Sequence, residues 1–290
     1  MKSWGKVFKF LFLGLGLISF VACGNEVSGD KKNDELEIVS LAPSNTEILV
    51  GLSLGENIIG IDKYSDDVDG VSHGAKVFES GVPNIEALVE MNPDVVFLSQ
   101  YDPSVSFDKL EGLGIKVINI DTANSLDEIY DSILLIGNET NKLDEAKKLV
   151  ENIKMEVENI VKEISGEDIK IYFEISQAPY IYSFGKDTFI NEILEICGGE
   201  NIFSDLSGWI APNSESIIEK NPQIIFTNVN VDNNIDEIKN RNGWENIDAL
   251  KNGNIYYIDK NSSSRPSQFF VNALKDIYKY IEEFKNEQEH

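Results

Sequence analysis

Two duplicated α/β lobes with mostly parallel sheets, joined by one long α-helix, are the fold this sequence predicts. Three observations carry that expectation. Strand and helix patterns alternate from Glu37 to the C-terminus, as in a parallel sheet covered by helices. A stretch of the first half recurs in the second. The strongest amphipathic pattern, over 141–164, falls between the two copies: Leu143, Ala146, Val150, Ile153, Val157, Ile160 and Ile164 are three and four apart and share one helix face. At about 1.5 Å per residue such a helix is roughly 36 Å long, enough to run along a whole domain. Alone, the pattern fits an amphipathic helix on a single globule better than a connector; the repeat reverses that preference.

In chain order, 37–41 is a short β run. In the Ala-Pro-Ser-Asn-Thr-Glu that follows, Ser44 and Glu47 have capping-box spacing before a helix over 48–54. Residues 57–61 form a strand, and 62–80, rich in Asp, Gly and Ser, form a loop long enough to line a site. A helix over 84–91, a buried strand over 94–98, a helix over 107–113, a strand over 116–120 and a helix over 125–136 lead to the connector. Beyond it come strand 170–175, loop 176–186, helices 188–196 and 214–219, and strand 223–227. Helices near 235–239 and 244–250, strand 254–258 and a last helix over 268–284 complete the chain.

The repeat is one of identities as well as of topology. NIEALVEMNPDVVF (84–97) aligns without gaps on NSESIIEKNPQIIF (213–226), and EILVGLSLGENI (47–58) aligns on EILEICGGENI (192–202) with one deletion. The pairs keep their order, and each set is followed by a strand ending in Ile-Asp, at Asp121 and Asp259. Three ordered matches argue for duplication, and they make Glu86 and Glu215 equivalent. The expected organisation is a leader over 1–22, a tether over 23–36, a lobe over 37–140, the connector over 141–165 and a second lobe over 166–290.

The leader has a positive start, Lys2, Lys6 and Lys9, and an uncharged apolar run over 10–21, too short for a comfortable span and typical of an export signal. It ends in Phe-Val-Ala-Cys, which resembles the bacterial lipobox; the resemblance implies lipidation of Cys23 and a protein held outside the cytoplasm on the cell membrane. Cys197 is then the one remaining thiol; it lies in an apolar helical run and is expected to pack, so the core, with 42% apolar residues in the chain, must supply the stability. Loss of the leader takes the formal charge from -25 to -28. That acidity excludes nucleic acid as a partner.

In parallel α/β sheets ligands sit beyond the carboxyl ends of the strands. The loops there hold Pro43, Ser44, Asn45, Tyr64 and Tyr101 in the first half, and Gln177, Tyr180, Trp209 and Arg265 in the second. Aromatic faces and neutral polar groups predominate, a lining for a large flat ligand with amides or hydroxyls. Any single tyrosine is better read as a half-buried surface residue, whereas Trp209 sits in SGWIAPN, a loop with no apolar period to bury it. With His73 and His290 the only histidines, neither a Ser-His-Asp set nor a histidine-based metal site can be assembled. No cofactor or resident metal is expected.

The segments VSLAPSNTEIL, IDKYSD (61–66), LGIKVINIDTA (113–123) and SFGKDTFINEILEICGGENIF (183–203) together resemble the ABC-importer substrate-binding proteins whose two lobes are joined by one long helix (class III). They are most similar to the cobalamin-binding members. The resemblance implies a monomeric, lipid-anchored receptor that delivers a corrinoid to an ABC permease dimer. By position, Tyr64, Trp209 and Arg265 fall where that family contacts the corrinoid, and Glu86 and Glu215 where it docks on the permease. A first-lobe tryptophan of the family falls near Ser80, with Phe78 or Tyr101 as replacements. Haem, through Tyr64, Tyr101 or His73, is the second expectation, and a ferric siderophore the third; the latter is disfavoured by a total of two arginines, Arg241 and Arg265. From another class, a tetrapyrrole metal chelatase-like enzyme needs a histidine and acid pair in the cleft. A single continuous connecting helix implies little lobe motion.

Overall fold

The computed structural model describes residues 36–81, 83–99, 107–162, 164, 169–232 and 234–288, all within one compact unit, Glu35–His290. The first half contains β1 (Ile38–Ser40), α1 (Pro43–Gly51), β2 (Ile58–Asp62), β3 (Lys76–Phe78), α2 (Ile85–Met91), β4 (Val95–Leu98), α3 (Asp108–Glu111), β5 (Lys116–Asn119) and α4 (Leu126–Glu139). Its strands form a parallel sheet in the order β3-β2-β1-β4-β5. After α5 (Leu143–Val161) come β6 (Ile169–Glu174), β7 (Ser183–Phe184), α6 (Phe189–Ile196), β8 (Gly199–Asn201), β9 (Trp209–Ile210), α7 (Ser214–Lys220) and β10 (Ile224–Thr227). Then follow α8 (Asn234–Lys239), α9 (Asp248–Asn252), β11 (Ile255–Tyr257), α10 (Lys260–Ser264) and α11 (Phe270–Gln288). A second parallel sheet runs β11-β10-β6-β8, and β7 and β9 make a short antiparallel ribbon.

Strands β1, β4 and β10 are buried along their length because helices cover both faces of their sheets. In β4, Val95 and Phe97 enter one core while Val96 and Leu98 enter another, against α2 and α3. In β10, Ile224 and Phe226 face the first of these cores and Ile225 packs with Trp244 and Tyr172 in a third. The first core is therefore common to both halves, with α4, α5, α6 and α11 between the two sheets.

Duplication is visible in detail. Asn84 caps α2 by accepting from Ala87 N at 3.1 Å, and Asn213 caps α7 by accepting from Ser216 N at 2.8 Å. Both seven-residue helices end on a left-handed asparagine, Asn92 at φ 47° and Asn221 at φ 46°, a residue that tolerates that conformation. Proline and a strand follow each time. Glu86 and Glu215 stand exposed in the matching first turns.

The connecting helix is shorter than its sequence pattern. It starts at Leu143, after a turn at left-handed Asn141 (φ 58°) that folds it back on α4. Gly137 makes this hairpin tight: a Cβ there would lie 2.4 Å from the Ala146 Cβ. Ala146, Val150 and Ile153 are buried, with Leu149, Val157 and Ile160 packed against the common core.

Other expectations are corrected. The Ser44–Glu47 capping box does not form: α1 starts at Pro43, whose missing N–H suits a first turn, and no side chain caps Ala42. The loop over 62–80 contains a 3-10 turn, Lys63–Ser65, and edge strand β3; only Phe78 of β3 is buried, so no alternation marked it. Strand β8, Gly-Glu-Asn, has no β-favouring residue and forms as an edge.

Candidate functional site

The carboxyl ends of the strands surround a cavity of about 610 Å³, with Lys63, Tyr64 and Asp67 from the first half and Asn230, Asn261 and Arg265 from the second. A smaller cavity of about 230 Å³ lies among Pro43, Ser44, Ser80, Ser99 and Thr122, and Arg265 borders both.

A buried polar chain builds the first side. Thr46 Oγ1 donates to Ser40 Oγ at 2.8 Å and lies 3.0 Å from Ser65 Oγ. Asp62 accepts from the Ser65 hydroxyl and, at 3.2 Å, from Tyr64 N. These bonds fix the 3-10 turn that presents Tyr64, a residue 59% exposed. Lys63 Nζ lies 5.3 Å from that ring and is paired with Glu79 at 2.7 Å.

Arg265 joins the two sides. Its Nη1 donates to Glu47 Oε1 at 2.9 Å, and its Nη2 donates to Asp67 Oδ1 at 2.8 Å and to the Tyr64 carbonyl at 2.9 Å. Glu47, 4% exposed, also accepts from Ser267 Oγ, and its carbonyl accepts from Gln268 Nε2 at 2.7 Å. Asn261 Nδ2 donates to Asp67 Oδ2 at 2.9 Å. Burial raises the Glu47 carboxyl above its ordinary value, partly offset by Arg265 and Ser267; desolvation is the largest single influence on Asp67 too, but there the Arg265 and Asn261 bonds together outweigh it and hold the carboxyl below its ordinary value. The other arginine is committed elsewhere: Arg241 donates to both oxygens of fully buried Glu174, at 2.7 and 3.0 Å, and stacks 4.3 Å from the Trp244 ring.

The structure thus brings together Ser44, Tyr64 and Arg265 of the residues expected at the ligand. Asn45 lies beneath them, 1% exposed, with its amide donating to the Leu98 carbonyl at 3.4 Å, and serves as framework. Trp209 is 55% exposed on β9, edge-on to buried Phe184 with centroids 6.1 Å apart; it and half-buried Gln177 border neither cavity. Phe78 is buried in the sheet and cannot replace the family's tryptophan, while Ser80 lines the smaller cavity. Tyr101 and Cys23 lie outside the described residues. His73 is exposed and borders neither cavity. The buried Cys197 thiol, pushed up to about 12 by desolvation, donates to the Leu274 carbonyl at 3.5 Å. Glu47, Asp67, Asn261 and Ser267 were not foreseen; their partners are some 200 residues away in sequence, as with the separation of 218 between Glu47 and Arg265.

Among the described residues no group of histidines, cysteines and carboxylates could hold a metal ion, and no helix is long and apolar enough to cross a membrane. A periplasmic binding protein family model matches residues 38–262. The uncharacterized ABC transporter substrate-binding lipoprotein YvrC of Bacillus subtilis is 33% identical over 260 residues, 86% of this chain and 81% of that protein. The vitamin B12-binding protein of Vibrio campbellii is 26% identical over 249 residues, 84% and 89% of the two chains. A possible iron-binding (periplasmic solute-binding) protein from Staphylococcus epidermidis superposes with a TM-score of 0.75 at 35% identity, over 84% of this chain and 98% of that one. The haem-binding protein HutB of Vibrio cholerae, at 18% identity and a TM-score of 0.76 over 85% and 99% of the chains, shares the fold. The parallel two-sheet architecture, the long helix between its halves and these matches together place the chain in the periplasmic binding protein family, as a class III substrate-binding protein of ABC transport and not an enzyme.

Proposed function

We propose that this chain is a lipid-anchored extracytoplasmic receptor that captures a corrinoid, cobalamin in the simplest case, and delivers it to an ABC permease. One observation carries the ligand: an exposed tyrosine, Tyr64, stands on a rigid turn at the edge of a cleft of about 610 Å³ that offers the neutral groups of Asn230, Asn261 and Ser264, with Lys63, Asp67 and Arg265 engaged in ion pairs and Asp66, Asp259 and Lys260 completing the lining. Such a surface suits an aromatic-sized ring fringed by uncharged amides, held by stacking and hydrogen bonds. The similarity to a vitamin B12-binding protein supports it. Trp209, exposed on the second half, offers a further ring to the ligand. Cys23 carries the lipid, in keeping with the lipoprotein relative. Glu86 and Glu215, equivalent and exposed at the starts of α2 and α7, present one carboxylate per lobe to cations on the permease dimer.

Titrating the purified protein with cyanocobalamin, hemin and a ferric siderophore, followed by absorbance and melting temperature, tests the ligand; no response to any corrinoid would sink it. Glu86→Lys with Glu215→Lys should stop uptake while free ligand still binds. Haem is the second reading, favoured by the exposed Tyr64 hydroxyl in the cleft, and a spectral shift with hemin alone would select it.

A further inference from the structure

We infer that Glu47 and Asp67 set the charge of the ligand this cleft accepts: by occupying the guanidinium of Arg265 they exclude polyanionic metal complexes and leave uncharged ones. The inference rests on the cleft being the ligand site and deepens the reading above.

The cleft's one arginine spends three of its five N–H donors inside the protein. Nη1 reaches Glu47, and Nη2 reaches Asp67 and the Tyr64 carbonyl, at 2.8–2.9 Å, so a carboxylate or catecholate oxygen meets a guanidinium already flanked by two carboxylates and can take its Nη2 only by displacing a partner. Glu47 cannot move aside, because Ser267 holds its other oxygen and it is 4% exposed. Asp67 can turn outward, being half exposed, but it would remain in the cleft as a competing anion. The remaining cations do not reverse the balance. Lys63 is paired with Glu79, and Lys260 faces the same cavity as Asp66 and Asp259. Three cations thus meet five carboxylates, of which Glu47 lies buried behind the lining and Glu79 exposed beside it. A dianionic porphyrin or a ferric tris-catecholate entering this field meets repulsion and a guanidinium whose charge two carboxylates already balance, whereas an amide-fringed ring brings no charge to repel. Bidentate guanidinium pairing is what such anions require, and here the protein supplies its own anions.

The test is the affinity of the purified full chain for hemin and for a ferric tris-catecholate, each as a ratio to cyanocobalamin, at low and at high salt. Asp67→Asn, at an exposed carboxylate, is the main variant, since Glu47→Gln puts an altered group in the core. At low salt the ratio should move at least tenfold toward the anions in Asp67→Asn, with the gain shrinking at high salt and absent when Arg265→Gln is added. A ratio unchanged within twofold, or a gain that survives Arg265→Gln, overturns the assignment. Tight hemin binding by the wild type overturns it as well. If cyanocobalamin fails to bind the wild type while the anions gain in Asp67→Asn, the corrinoid reading falls and the charge assignment stands. If cyanocobalamin binds and the anions gain nothing, the reverse holds.

Discussion

Replacing Arg265 by alanine isolates the energetic role of the buried contact between the two halves. The guanidinium is 14% exposed and its partner Glu47 is 5% exposed at the side chain, so removal leaves a carboxylate in the interior with one hydroxyl donor, Ser267. Breaking a buried pair from one side costs about 3–5 kcal/mol. Protonation caps the charge part: bringing a carboxyl with an ordinary value of 4.5 to its neutral form at pH 7 costs about 3.4 kcal/mol, at 1.36 kcal/mol per pH unit. The wild type already carries part of that cost, because burial raises Glu47 even with Arg265 present. The Asp67 contact, more than half exposed, adds well under about 1 kcal/mol. The expected loss at pH 7 is about 3 kcal/mol, including the lost bond to the Tyr64 carbonyl.

The pH dependence gives the decisive sign. At pH 5 the cap falls to about 0.7 kcal/mol, so Arg265→Ala should lose only about 1–1.5 kcal/mol there. In the wild type, a raised Glu47 lowers stability as pH rises from 4.5 through its folded value, and a depressed Asp67 withdraws stability as pH falls below 3.8 through its own. Urea unfolding followed by tryptophan fluorescence at the two pH values measures this directly. Equal losses at both, or a loss under about 1 kcal/mol at pH 7, would refute a buried charge at Glu47.

Arg241→Ala strands fully buried Glu174 and should cost about 3–5 kcal/mol in the same assay, without altering the cleft cavity. In Gly137→Ala the new methyl would meet Ala146 across the α4–α5 turn; overpacking should lower stability by about 1–3 kcal/mol, seen as a fall in melting temperature. Trp209→Ala, exposed and touching Phe184 by an edge, should weaken ligand affinity by about 1–3 kcal/mol in a titration and leave unfolding within about 1 kcal/mol of wild type.

Periodic features were legible in the sequence. The face of Ala146, Val150 and Ile153 identified α5, and the repeat identities predicted that α2 and α7 would be equivalent; their shared asparagine caps and stops are what the structure adds. What the sequence hid is long-range polar pairing. Glu47 was read as a local cap because Ser44 precedes it by three, and no local pattern says that its charge is answered by Arg265. The same blindness affected Asn45, a loop polar residue by pattern that is framework in space. Phe78 offered itself as a site aromatic because it is next to the position near Ser80 where the resembled family has a tryptophan; pairing of β3 with β2 buries it. Tyr64 could be found, since a Tyr in a polar Asp-rich stretch has nothing apolar to pack on.

One connecting helix was the reason to expect little lobe motion, and the structure changes that reason. Helix α5 is one arm of a hairpin with α4, and the halves also share a core along α4, α5, α6 and α11. At its edges that core is closed by polar contacts: Glu192 on α6 accepts from Leu126 N at the start of α4 at 2.8 Å, and Lys275 on α11 meets Glu156 on α5 at 2.7 Å. Gln268 donates to the Glu47 carbonyl against Gly51, where a Cβ would come within 2.8 Å of the Gln268 amide. Opening about α5 would separate these groups and expose common core; stranding the buried Leu126 N–H and Gln268 amide costs about 1–3 kcal/mol each, the half-exposed Lys275–Glu156 pair under about 1 kcal/mol. Contacts at the cleft mouth are cheaper, since Asp67 and Asn261 are exposed and half-buried groups already in water. Ligand entry is therefore expected to rearrange the Asp67, Asn261 and Tyr64 contacts while the helical side stays closed, and any signal to a permease travels as a small shift between α2 and α7, not as a wide hinge.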